Sequence, residues 1–143
     1  MKLARKVALL ACAAWLAMCA ATIAADYAVV VNSENAATSL DRRAVSALFM
    51  RRVTQWPGGG AVLPVDGPSG PAREAFSKEV HGKKASAVRS HWLQVIFSGR
   101  GVPPPEKATD KEVIEYVKAH AGAIGYVSPT TPTTTVKVLK VEP

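Results

Sequence analysis

Cysteine is nearly absent from this chain of 143 residues, and its two copies, Cys12 and Cys19, both stand near the start. Everything after them lacks a thiol, so no disulfide can brace the fold and no thiolate can hold a metal there. Aromatic residues make up only 6%, and the basic residues form no long block. The chain therefore offers neither the stacking platforms nor the cationic track that nucleic-acid binding uses, and no nucleic-acid partner is expected. Three histidines, His81, His91 and His120, are spaced by ten and 29 residues, which matches no local metal motif. No metal site and no cofactor are expected. Internal repeats are missing as well.

What is present at the start has an export pattern. Lys2, Arg5 and Lys6 precede an uncharged apolar stretch from Val7 to Ala21, and small residues follow at Thr22, Ala24 and Ala25 before the first acid, Asp26. A positive region, an apolar region and a small-residue cleavage zone are the three parts of a secretory signal. Residues 1–25 are read as that signal, with cleavage after Ala24 or after Ala25, and the destination is the periplasm. Two alternatives stand beside it. A membrane anchor needs about 20 apolar residues, more than this run supplies. Leu16-Ala17-Met18-Cys19 has lipobox spacing, with an oversized Met18 before the cysteine.

Residues 26–143 are enough for one domain of ordinary size. The chain carries 18 basic and 11 acidic residues; three basic ones leave with the leader, so the remainder holds 15 against 11, a net +4. That excess mildly favours small anions or acidic partners.

Along this domain, apolar runs alternate between strand and helix character. Tyr27–Asn32 is nearly continuous in valine, as a strand covered on both faces reads. Asp41 stands where it can cap a helix, with Leu40 and Val45 placed as a hydrophobic staple and Val45, Leu48 and Phe49 at helical spacing. Ala61–Val65 reads as a second strand. Pro71 suits the first position of a helix that Gly70 or Ser69 caps, presents Ala72, Phe76 and Val80 on one face, and ends at Gly82. Ser86–Ser98 is a third helix, with Val88, Trp92, Val95 and Ile96 at i, i+4, i+7 and i+8 and Gly99 at its end. Gly101–Pro105 is an extended loop. Thr109 and Glu112 form a T-x-x-E capping box for a fourth helix that Gly122 ends. Ala123–Val127 and Val136–Val141 are the last strands. The alternation implies a single three-layer α/β domain with a largely parallel sheet.

Chemistry is scarce. Gly67-Pro68-Ser69-Gly70-Pro71 is a loop between a strand and a helix, where backbone N–H groups and the helix dipole favour an oxyanion. Ser69 adds a hydroxyl, and Arg73 a guanidinium one turn further on. Tight βα turns use the same residues merely to start a helix, and Pro68 and Pro71 lack N–H donors. The loop is not a nucleophile elbow, since Pro71 replaces the final glycine of G-x-S-x-G. No nucleophile, base and oxyanion donors stand in a recognisable order, so catalysis is not expected. His81 and His120 fall in helix last turns, where a dipole role suffices. Arg42, Arg43, Arg51 and Arg52 form the densest basic patch, a solvated face or a dock for an acidic partner.

Several segments together resemble phosphate ABC-transporter substrate-binding proteins. Ser39-Leu40 through Leu48-Phe49-Met50 is similar to the family's LS-x-x-x-L-x-x-IF-x-G segment, and Arg52-Val53-Thr54-Gln55-Trp56 to its K-I-T-N-W. Gly67-Pro68-Ser69-Gly70 with Arg73-Glu74-Ala75-Phe76 resembles its phosphate loop, D-G-S-G-T-R-x-x-F. Ala121–Val127 is similar to its P-G-A-I-G-Y-V. The resemblance implies one lobe of a type II periplasmic binding protein, with phosphate or a related oxyanion at Ser69 and Gly70, supported by Gly67 and Arg73. Pro71 stands where the family has threonine, and Val65 where it has a clamping arginine. The resemblance also implies that a second copy (a homodimer) or a transporter or envelope protein must supply the missing wall. The alternative it leaves is an envelope interaction protein that has lost its ligand.

Overall fold

The computed structural model describes residues 25–143. The expected leader, apart from Ala25, lies outside them. Five strands form one sheet in the order β2-β5-β1-β4-β3: β1 Ala28–Val31, β2 Ser39–Asp41, β3 Leu63–Pro64, β4 Ala123–Val127 and β5 Lys137–Glu142. The helices are α1 Arg42–Phe49, α2 Pro71–Phe76, α3 Ala85–Phe97 and α4 Asp110–Ala119, and a π-helical turn, Ser77–His81, prolongs α2.

The sheet is mixed. β3 runs parallel to β4 and β2 parallel to β5, but β1, in the middle, is antiparallel to both neighbours. The expectation of a largely parallel sheet thus holds for four strand directions and fails at the centre. The valine run of β1 shows that both its faces are covered but carries no sign of direction.

Alternation along the strands builds two cores. Val29, Val31, Ile124, Tyr126 and Leu139 face α1 and α2, packing on Val45, Leu48, Phe49 and Phe76. Val30, Ala123 and Val127 face the other way, onto Val113, Ile114 and Val117 of α4. Sheet and helices therefore make the three expected layers. Gly125 permits the closeness of α4: a Cβ there would meet Val113 Cγ1 at 2.7 Å and Val65 Cγ1 at 2.9 Å.

The caps follow from local chemistry. Asp41 accepts the Ala44 N–H at 2.7 Å, and Leu40 packs on the cluster that holds Val45. Gly70, at φ 150°, caps α2, with Pro71 in the first turn. Thr109 accepts the Glu112 N–H at 3.2 Å, while Glu112 reaches back to the N–H of Ala108 at 3.0 Å. Gly82 and Gly99 take the left-handed conformation at φ 66° and 69°, past the ends of the π turn and α3.

Several expectations need correction. β2 was not foreseen; it has three residues and one apolar side chain, too little for a periodic signal. The Ala61–Val65 strand shrinks to Leu63–Pro64, on the sheet edge where a proline is tolerated. Ile96 points outward, 47% exposed, so α3 buries only Val88 and Trp92. Gly122 does not end α4, which stops at Ala119; it lies against the Ala61 carbonyl, where a Cβ would collide. His81 is not a dipole partner in water. It is half-buried, with its Nδ1 2.8 Å from Ser46 Oγ and its ring edge-on to Phe76, and burial pushes its pKa down to about 4.

Candidate functional site

At the carboxyl ends of β3 and β4 the strands hand over to Asp66–Gly70 and to Ser128. Because β1 is reversed, its amino end brings Asp26 to the same edge. Open α/β sheets bind ligands outside the carboxyl ends of their strands. A cleft of about 350 Å³ lies there, lined by Ser69, Gly70, Ala72, Asp110, Tyr126 and Ser128 among others.

Of the four residues expected to bind, Ser69 and Gly70 line this cleft, with Ser69 exposed. Gly67 is buried beneath the loop; a Cβ there would press the Tyr126 carbonyl at 3.2 Å and its ring at 3.4 Å. It allows the loop to lie on Tyr126. Arg73 turns away from the cleft. Its guanidinium pairs with Glu106 at 3.0 Å and with Asp66 at 3.9 Å, and it donates to the Gly67 carbonyl at 3.3 Å. Val65 is fully buried against α4, so no group from that position reaches the cleft. At the start of α2 the amides of Ala72 and Arg73 have no acceptor one turn earlier in the helix, and with the Ser69 hydroxyl they form the donor side.

The floor is an ionisable network. Tyr126 donates its hydroxyl to Asp66 Oδ1 at 3.1 Å, and its ring stacks on Phe76 at 4.1 Å. Burial raises the Asp66 pKa; Arg73 and the Tyr126 hydroxyl oppose that rise, and Glu106 adds to it. Burial, then the Asp66 charge, raises that of Tyr126. Burial works against the Arg73 charge, but Tyr126, Asp66 and Glu106 outweigh it and raise the pKa further. Across the cleft, Asp110 Oδ2 accepts the Ser128 N–H at 2.9 Å and the Thr131 hydroxyl at 2.7 Å. The site thus presents neutral donors on one wall and carboxylate on the other.

Tyr126, Asp66, Asp110 and Ser128 were not singled out from the sequence. Tyr126 stands within the Ala121–Val127 segment that carries the resemblance, and Asp110 directly follows the capping residue Thr109. A larger hollow of about 780 Å³ lies at the opposite end of the sheet, between Asn35–Leu40 and Trp56–Ala61. Alanine and glycine supply about half of its lining residues, and no lysine, arginine or histidine lines it.

The fold is shared with solved phosphate-binding structures. A Clostridium perfringens protein assigned as a phosphate ABC transporter substrate-binding protein, solved with phosphate bound, aligns with a TM-score of 0.63 at 21% identity, over 81% of this chain and 44% of its own. An ABC-type phosphate transport receptor from Vibrio cholerae aligns at 0.60 and 16%, over 81% and 46%. PfluDING, described as a high-affinity periplasmic phosphate-binding protein, aligns at 0.57 and 18%, over 83% and 37%. This chain spans less than half the length of each, and its fold is that of one lobe of a periplasmic binding protein. No protein-family profile and no curated protein match the chain.

Proposed function

We propose that this chain is an exported, single-lobe solute-binding module that seats a small oxyanion, phosphate before others, at the start of α2. The cleft at the carboxyl ends of β3 and β4 supports the reading: Ser69, Gly70 and Ala72, at the start of α2, line a hollow of about 350 Å³ that is ample for a tetrahedral anion. Helix starts of this kind favour negative charge. Gly67 and Gly70 let the loop lie close. Arg73 acts from beneath, pinning the Gly67 carbonyl while Glu106 and Asp66 hold its charge.

The carboxylates decide which oxyanion. Asp110 lines the cleft and Asp66 lies under Tyr126, so a fully ionised guest meets repulsion. Phosphate keeps a proton near neutral pH and can donate it to Asp110; sulfate cannot. Phosphate should therefore bind more tightly than sulfate. With one lobe only, the guest keeps an open side, so affinity is weak until a second copy or a transporter component closes over it. In this reading the module serves phosphate transport in the periplasm, after export by the leader over residues 1–25.

Calorimetric titration of the chain from Asp26 onward tests the reading. Saturable heat with phosphate, weaker heat with sulfate and loss of both in Ser69→Ala support it. Equal heats for the two anions, or none at millimolar phosphate, overturn it.

A further inference from the structure

The segment that follows the π turn does little for the core. α3 buries only Val88 and Trp92, which meet Met50 in a small satellite cluster. Val95 packs partly against them, but the larger apolar residues face out: Phe97 is 87% exposed, Leu93 and Ile96 are 47% each, and Val102, just beyond the helix, is 70%. Leu93, Ile96 and Phe97 stand at i, i+3 and i+4, hence on one face. Arg100 N–H bonds back to the Val95 carbonyl at 3.2 Å, folding the Val102 loop toward the helix end. The exposed apolar groups therefore gather at the carboxyl end of α3. Neither hollow described above includes any residue of this segment.

Charge on the segment has one sign. From Gly82 to Pro105 it holds Lys83, Lys84, Arg89 and Arg100 and no acidic residue. Arg89 precedes Leu93 by one turn, and Arg100 follows Ile96 by the same spacing. An exposed aromatic and aliphatic tip flanked by cations supplies the two attractions that hold a protein at an anionic lipid interface, apolar burial and charge. A second copy docking by this face would set cations against cations. A protein groove would need a matching shape, whereas a bilayer adapts to the side chains that enter it. α3 has thirteen residues, too few to span a membrane.

We propose that the α3 tip is a membrane-contact surface for anionic lipid. Phe97, Leu93, Ile96 and Val102 enter the headgroup boundary, and Lys83, Lys84, Arg89 and Arg100 pair with lipid phosphates. The surface is separate from the oxyanion cleft and holds the module beside a membrane whether or not the cleft is filled.

Co-sedimentation with lipid vesicles decides it, using the chain from Asp26 onward, which contains both cores entire. Binding to phosphatidylglycerol/phosphatidylethanolamine vesicles, absent with phosphatidylcholine and weakened by salt, is expected. Leu93→Ser/Phe97→Ser should weaken it by about tenfold or more, and Arg89→Glu/Arg100→Glu by more than about tenfold. Both variants alter exposed side chains, and unchanged circular dichroism verifies that they fold. Ser69→Ala should bind vesicles normally, which separates this surface from the cleft. No binding to the anionic vesicles overturns the proposal, as does binding that both double variants retain. A dimer that Phe97→Ser dissolves, or an acidic protein captured through Phe97, without vesicle binding, also overturns it.

Discussion

Two helices of this domain, α4 and α3, are attached in opposite ways. α4 lies so close to the sheet that Gly125 has no room for a Cβ, and Val113 and Val117 are fully buried. Both its ends are tied, the first by the Thr109–Glu112 box and the Asp110 bonds to Ser128 and Thr131, the last by Asn32, whose side-chain amide donates to the Val117 and Lys118 carbonyls at 2.9 and 3.1 Å. α3 has no side-chain cap at its start, buries two residues and exposes Phe97. The contrast separates what the chain needs in order to fold from what it holds out to its surroundings. Close packing and complete capping mark the first; apolar surface left uncovered marks the second.

The strongest test of this contrast is pH. α3 stands on the π turn and on Met50, and His81 fastens that turn to α1 through Ser46. The folded-state pKa of His81 is about 4, against 6.5 for the free side chain. The unfolded chain therefore takes up the proton first, and stability falls as pH drops from 7 toward 4. The His81 contribution to that fall is about 3 kcal/mol. Asp66, whose pKa is raised, works in the opposite sense. Urea titrations of wild type and His81→Asn at both pH values isolate the histidine: the variant should lose about that much less on acidification. Next in size, Gly125→Ala should cost about 2 kcal/mol through overpacking under α4, read as a lower urea midpoint. Thr109→Ala should cost about 1 kcal/mol by removing the α4 cap, with amide exchange rising first at the start of that helix. At the small end, Phe97→Ser should change stability by less than about 0.5 kcal/mol. A large loss there would mean that α3 is part of the core after all.

What could be read in advance follows the range of the interactions. Caps and turns act over three or four residues, so Asp41, Gly70 with Pro71, and Thr109 with Glu112 were legible from spacing. Gly82 and Gly99 were legible for the same reason. Ser69 and Gly70 were legible as part of such a turn. The direction of β1 was not, since a fully buried valine run looks alike in either sense. The π turn at Ser77–His81 escaped because Phe76 and Val80 fit an ordinary helix equally well. Least legible was the floor of the cleft. Tyr126 is 60 residues from Asp66 in the chain, and Ser128 is 18 from Asp110. Arg73, expected to face a guest, is instead satisfied by Glu106, a residue the sequence left in a loop with no marked partner.

The most direct measurement is a phosphate titration of the isotopically labelled chain from Asp26 onward, followed by amide chemical shifts. The account predicts saturable shifts at Ser69, Gly70, Ala72 and Arg73, with Ser128 moving beside Asp110. The amides of α3 and of the hollow near Trp56 should stay still. Shifts concentrated at the Arg42–Arg52 patch or near Trp56, or no shifts at all, would contradict an oxyanion site at the start of α2.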